Sequence, residues 1–354
     1  MQFIDLAAQY QASKELINKR IQTVLDHGQY IMGPEVRELE VALEDYVGVK
    51  HAITCANGTD ALTLAMMALG VGEGDVVFCP TFTFFATAET IAFQNAVPVF
   101  VDSDPNTFNI CSDDLERQIK KVISEGVLTP KAIIAVDLFG LPADYKRIQQ
   151  IADKYKLKVI EDAAQGFGGE VCGKKAGSFG DIATTSFFPA KPLGCYGDGG
   201  AIFTDDDGLA EIIKSLRVHG KGSDKYDNVR IGMNSRLDTI QAAILLEKLA
   251  IFPGELVKRN LAADSYDDKF GNCYKTPKVP EGYYSSWAQY TLQVEDRQIV
   301  MKRFKESGIP TVVYYQTCMH QQSAFKYLNY SDNDFPVASY LAKCVLSLPM
   351  HPYL

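Results

Sequence analysis

The chain reads as an α/β protein, with a large α/β/α sandwich built on a seven-stranded, mostly parallel sheet and a smaller α+β unit after it. Three observations predict this. Between residue 51 and about residue 218, short apolar runs alternate with stretches of helical length, as when crossover helices link parallel strands. Most of those runs are continuously apolar, as strands covered on both faces require. Beyond residue 250 the regular alternation stops, and helices and strands follow each other less evenly.

In order, residues 1–12 are expected to start extended. Ser13 to Asp26 then carries Leu16, Ile17, Ile21, Val24 and Leu25 at helical spacing, and His27-Gly28 ends it. Gly33-Pro34 opens a helix over 35–46, with proline in the first turn, where its missing N–H costs nothing. Strands are expected near 51–55, 75–79, 97–101, 131–137, 157–161, 181–186 and 199–204. Helices fall between them near 59–69, 84–94, 112–125 and 142–155, with another near 207–218. Asp205-Asp206-Asp207 suits the N-cap of that last helix. The polar, glycine-bearing run from His219 to Asp227 reads as a mobile loop.

Leu237 to Leu249 is a long apolar helix, and Pro253-Gly254 reads as a hinge. That places a large domain at 1–250 and a small one at 251–354, with segment 1–30 packing against the small domain. The small domain is expected to hold helices over 255–270, 297–307 and 335–345 and strands near 288–294 and 310–315.

Composition removes several classes. A net charge of −9 gives no basic footprint for nucleic acid or an anionic membrane surface. The eight cysteines show no C-x-x-C or Cys/His zinc spacing, so no metal site is expected. Several sit in apolar runs, where a free thiol acts as a small hydrophobe; that suits a reducing cytoplasm. The N-terminus has neither a basic start nor an apolar core, so no leader and no membrane span is expected.

Three stretches carry the chemistry. The run DIATTSFFPAKPLGCYGDGGAIFT sets Lys191 between two apolar strands, where burial lowers an amine's pKa and leaves it nucleophilic. About thirty residues upstream, Leu157 to Glu161 reads as a strand, and Asp162 follows at its carboxyl end, where ligands gather in open α/β sheets. Gly58-Thr59 opens a helix directly after the first strand, and the free N–H groups of a helix start suit a phosphate. An acid for a ring nitrogen, an amine for an aldehyde and a phosphate cradle together match pyridoxal phosphate. Gly166-Phe-Gly168-Gly-Glu-Val171 imitates a dinucleotide fingerprint, but its sixth position is valine and no amphipathic helix follows; NAD binding is rejected there.

Together with HGQYIMGPEVRELE, CANGTDAL, EDAAQ and GMNSRLDTIQAAIL, these stretches resemble the nucleotide-sugar aminotransferases of fold-type-I pyridoxal phosphate enzymes. The likeness spans essentially the whole chain and is greatest to enzymes that aminate C3 of a UDP-linked 2-acetamido-2-deoxy-3-keto hexuronic acid. It implies that Lys191 holds the cofactor and moves the proton, and that Asp162 pairs with the ring nitrogen. It assigns Gln165 to the ring hydroxyl, Phe84 to the ring face, and Ser186, Gly58 and Thr59 to the phosphate. Asn234, in the G-x-N-x-R element, is implied to reach the phosphate of a neighbouring subunit, and Arg236 to bind a substrate carboxylate; an obligate homodimer with shared sites follows.

The sequence departs from the family in two places. Pro192 stands where asparagine is common, and the H-Y-x-x-P-L-H pattern appears as Tyr314-Tyr315-Gln-Thr-Cys-Met-His320. Tyr314, Tyr315 and His320 are therefore candidate substrate contacts only. The implied reaction takes an amino group from L-glutamate and gives a 3-amino sugar for surface polysaccharide, in lipopolysaccharide O-antigen. The alternatives are a 3- or 4-keto-6-deoxy sugar carried on dTDP or UDP, or a regulator without activity, which would not need both Lys191 and Asp162.

Overall fold

The computed structural model describes residues 1–224 and 226–354. Helix α1 (Leu6–His27) is followed by α2 (Pro34–Val47), β1 (His51–Cys55) and α3 (Gly58–Ala68). Alternation continues through β2 (Asp75–Pro80), α4 (Ala86–Phe93), β3 (Val97–Val101), α5 (Ser112–Glu125) and β4 (Thr129–Val136). Then come α6 (Tyr145–Tyr155), β5 (Lys158–Asp162), the short β6 (Glu170–Val171) and β7 (Lys174–Lys175), β8 (Ile182–Ser186) and β9 (Gly200–Thr204). The remainder is α7 (Asp207–Leu216), α8 (Thr239–Phe270), β10 (Tyr283–Tyr284), β11 (Tyr290–Gln293), α9 (Arg297–Glu306), α10 (Pro336–Cys344) and β12 (Val345–Leu348).

The main sheet has seven strands in the order β1-β9-β8-β5-β4-β2-β3. Its neighbours from β8 to β3 are parallel, and β9 alone opposes the rest because it pairs antiparallel with both β1 and β8. The seven predicted strands and their α/β/α layers are thus present. One face packs Ile53, Ile134, Ile160 and Ile202 against α3, α4 and α7. The opposite face packs Val76, Phe78, Ile133 and Val159 against α5 and α6, and Ala52, Ala183 and Phe203 against α2 and α8. A separate core gathers Tyr290, Leu292, Phe304, Leu346 and Leu348 around the β11–β12 pair.

Three expectations are corrected. The N-terminus is helical from Leu6, capped by Asp5, which accepts the Ala8 N–H at 2.8 Å. Periodicity missed that first turn because its buried positions are polar. Gln9 is buried by donating to both Glu255 oxygens, at 3.0 and 2.9 Å. The hinge at Pro253-Gly254 is absent: α8 runs through it for 32 residues, so a boundary at residue 250 falls inside a continuous helix. A proline costs a helix roughly 3 kcal/mol, and here the buried flanks Leu249, Phe252 and Leu256 hold the helix together across it. The strand expected near 310–315 is reduced to one bridge, Val312 to Ser347.

Segment 1–30 meets the C-terminal region. Met350 donates its N–H to Phe3 O at 3.2 Å, and the Phe3 and Tyr314 rings lie 6.3 Å apart.

Candidate active site

The site is built on the carboxyl edge of the sheet, where β8, β5 and β4 end side by side. Asp162 closes β5 in register with Thr184 of β8. Helix α3 begins just beyond β1, and two glycines bring its start against β8 and β9. A Cβ on Gly58 would lie 2.7 Å from Ser186 Cβ, and one on Gly200 would lie 2.6 Å from the Asn57 carbonyl carbon. No other residue fits at either place. Asn57 caps the helix through the Asp60 N–H at 2.8 Å, and its carbonyl takes the Ala61 N–H. Among the described residues no protein acceptor takes the Gly58 or Thr59 N–H. The outcome is a helix start with open donors facing Ser186, which is chemically an anion cradle.

Asp162 is buried, and its donors are the Thr87 hydroxyl and the Ala164 N–H, both at 3.2 Å. Burial pushes its pKa up, opposed by those two bonds and by the charge of Lys191. Lys191, on the loop between β8 and β9, is shifted the other way: burial pushes it down and Asp162 opposes. An acid this poorly supplied with donors is suited to a cationic ring nitrogen. Arg236 offers a complementary vacancy in bonding, because its Nε is buried with no protein partner. Open N–H groups, an under-bonded acid and an amine whose protonation burial opposes fit a phosphorylated pyridine aldehyde.

Gln165 is fixed by two bonds. Its Oε1 accepts the Phe139 N–H at 2.7 Å and its Nε2 donates to Tyr315 OH at 2.9 Å, leaving one amide hydrogen uncommitted. Phe84 is 55% exposed with its ring 6.3 Å from Tyr315, so it is a surface shelf at the site and no part of the core. Tyr314 is half-buried beside Tyr315. Asn234 is exposed, in a segment anchored by Ser235 Oγ, which accepts the Ala56 N–H at 3.2 Å.

His320 is placed differently from the other candidates. It is buried, with Nδ1 at 2.8 Å from Thr81 Oγ1 and Nε2 at 3.3 Å from Asp332 Oδ1. Both ring nitrogens are thereby committed to holding the C-terminal segment on β2.

Sequence reasoning missed Thr87, which has no motif of its own, and the anchors of the lysine loop. Gln241 Oε1 accepts the Tyr196 N–H at 2.9 Å, while the buried Lys248 ammonium donates to Gly194 O and lies 4.9 Å from the Tyr196 ring. A lysine inside the apolar run of α8 was the available signal.

The model of the DegT/DnrJ/EryC1/StrS aminotransferase family matches residues 11–354. The UDP-2-acetamido-2-deoxy-3-oxo-D-glucuronate aminotransferase of Pseudomonas aeruginosa is 49% identical, the match covering 100% of this chain and 96% of the relative. A DegT DnrJ EryC1 StrS aminotransferase from Brucella abortus superposes with a TM-score of 0.98 at 51% identity, covering 100% of this chain and 95% of its own. The ntda protein of Bacillus subtilis, solved with bound cofactor pmp, gives a TM-score of 0.86 at 33% identity over 96% of this chain and 78% of its own.

Proposed function

The chain belongs to the DegT/DnrJ/EryC1/StrS aminotransferase family, and on that premise we propose that it is a pyridoxal-phosphate-dependent aminotransferase acting on a nucleotide sugar. The acceptor is the 3-keto group of a UDP-linked 2-acetamido-2-deoxy hexuronic acid, and the donor is L-glutamate. The observation that carries the reaction is the opposed pair Lys191 and Asp162, set beside the open start of α3. The acceptor is supported by similarity to the Pseudomonas aeruginosa uronate enzyme and by the unpartnered Arg236 Nε.

In this reading Gly58, Thr59 and Ser186 would hold the phosphate, Asp162 the ring nitrogen, Phe84 the ring face, and Gln165 the ring hydroxyl through its uncommitted amide hydrogen. When bound, the cofactor would supply a protonated ring as an electron sink and an aldehyde carbon to carry the amino group between donor and acceptor. Lys191 Nζ, whose pKa burial lowers, takes and returns the proton of the carbon that exchanges its amine. Arg236 pairs with the sugar carboxylate, for which its planar fork is better matched than a lysine. Tyr314 and Tyr315 line the same mouth as further substrate contacts.

We place Asn234 in the site of a second subunit. Ile31, Phe84, Phe188 and Ile231 are large exposed side chains on segments around the site, at 48%, 55%, 52% and 88% exposure, and a two-fold partner would cover them. No helix among the described residues is long and apolar enough to cross a membrane, and cytoplasmic synthesis of a 3-amino sugar for surface polysaccharide, such as O-antigen, completes the proposal.

The test is amination of the UDP-linked 3-keto uronic acid against the same sugar with a hydroxymethyl group at C6, with L-glutamate as donor. Preference for the uronic acid, lost in Arg236→Ala, is expected. Equal turnover of both sugars by the parent protein would overturn the acceptor assignment.

A further inference from the structure

Directly behind Asp162 lies a pair of acids that the proposed reaction does not use. Asp137 follows β4, Glu161 precedes Asp162 on β5, and both are 0% exposed. Glu161 Oε1 accepts the Gly177 N–H and Oε2 the Phe179 N–H, each at 2.7 Å. Asp137 Oδ1 accepts the Ala143 N–H at 3.0 Å and the Tyr145 hydroxyl at 2.7 Å. Its Oδ2 is buried against Gly166 with no N–H or O–H group bonded to it, and the carboxyl within hydrogen-bonding reach of Asp137 is that of Glu161. The titratable groups facing the pair are Asp162 on β5, Tyr145 on α6 and Tyr283 on β10, and none of them is a cation.

Two buried carboxylates in contact, without a cation, cannot both ionise. A single proton between them removes the repulsion and gives the orphan Oδ2 its missing bond. The pair also touches the chemistry. A Cβ on Gly166 would lie 2.3 Å from Asp137 Cβ, so the turn after Asp162 is pressed onto this side chain. Asp137 N–H donates to Asp162 O at 3.1 Å, and two residues on Phe139 N–H holds Gln165.

We propose that Asp137 and Glu161 share one proton and act as a positioning pair for the turn that carries Asp162 and Gln165. Burial raises both groups. An unfolded carboxyl releases its proton near about 4. Above that value the folded chain keeps the shared proton that the unfolded chain has released, so the pair's contribution to stability falls as pH rises.

Two substitutions separate this arrangement from simple packing. In Asp137→Asn the amide nitrogen takes the place of Oδ2, where no N–H points, and donates to Glu161 as the proton did. In Glu161→Gln either end of the amide meets a backbone N–H, so a donor faces a donor. Infrared spectra of the holoenzyme at neutral pH should show a protonated-carboxyl band that Asp137→Asn abolishes. The same variant should flatten the fall of the melting midpoint above pH about 4 and keep the parent's cofactor affinity. Glu161→Gln should lower cofactor affinity on the order of tenfold. Persistence of the band in Asp137→Asn, or equal harm from both substitutions, would overturn the proposal. The infrared and melting readouts do not depend on turnover, so they stand apart from the aminotransferase reading.

Discussion

A lysine amine and an aspartate carboxyl that face each other in a buried pocket each resist their own ionisation and each support the other's. That balance is visible at Lys191 and Asp162, where burial is the leading influence on both and the partner's charge opposes it. Asp162→Asn removes the opposing charge from Lys191 and leaves the burial. The apparent pKa of Lys191, followed by acylation of the cofactor-free protein against pH, should therefore move further down; an upward move would show that another anion governs the lysine. The same substitution should cost turnover several powers of ten, each about 1.4 kcal/mol of barrier, and a loss below tenfold would leave Asp162 as a structural end to β5. Lys191→Ala should fold normally and lose the yellow cofactor adduct, which borohydride should otherwise fix to Lys191 alone. Both residues were legible because Lys191 stands between two apolar runs and Asp162 at the carboxyl end of another. Thr87 was not, since a threonine that bonds an acid 75 positions away leaves no local signal. His320 looked like a contact only because its bonds to Thr81 and Asp332 are equally non-local.

At the scale of elements, the continuous apolar runs made every strand of the main sheet readable, while the reversed direction of β9 was not. A buried strand has the same composition whichever way it points. The expected break at Pro253 failed for the converse reason: proline is a local signal, and the buried faces on either side of it outweigh it. Helix α8 reaches the chemistry through Lys248, which is buried, pushed down to about 8 by burial, and bonded to Gly194 three residues past Lys191. Lys248→Met keeps the volume and removes the bond to the loop. We expect the loop to loosen, with weaker cofactor binding and a lower yield of borohydride trapping at Lys191. An unfolded lysine titrates near about 10.4, so between pH about 8 and that value the unfolded parent binds a proton that the folded parent does not. The parent should accordingly gain stability relative to Lys248→Met as pH rises through that window. A melting difference that stays flat there would mean the lysine is not neutralised in place.

For the whole molecule, the question is which subunit completes the site. Ser235 is buried against its own chain at Ala56, while Asn234 beside it is exposed, turned away from that contact. If that direction is toward a two-fold partner, each site takes Lys191 from one chain and Arg236 from the other. An inactive Lys191→Ala chain then still carries a working Arg236, and an Arg236→Ala chain, impaired at a uronic-acid concentration far below its raised KM, a working Lys191. Exchange at equal ratio makes about half of the dimers mixed, each with one native site of two, so activity should return to roughly a quarter of the parent's, given two-fold symmetry. No recovery, with exchange proven by mass spectrometry of differently tagged chains, would place Arg236 in its own subunit's site. Arg236→Ala should further raise KM for the uronic acid far more than for the neutral sugar, because a buried carboxylate stripped of its partner costs several kcal/mol and a hydroxymethyl group has no charge to strand. Equal rises would leave the dimer argument intact and take away the carboxylate from Arg236.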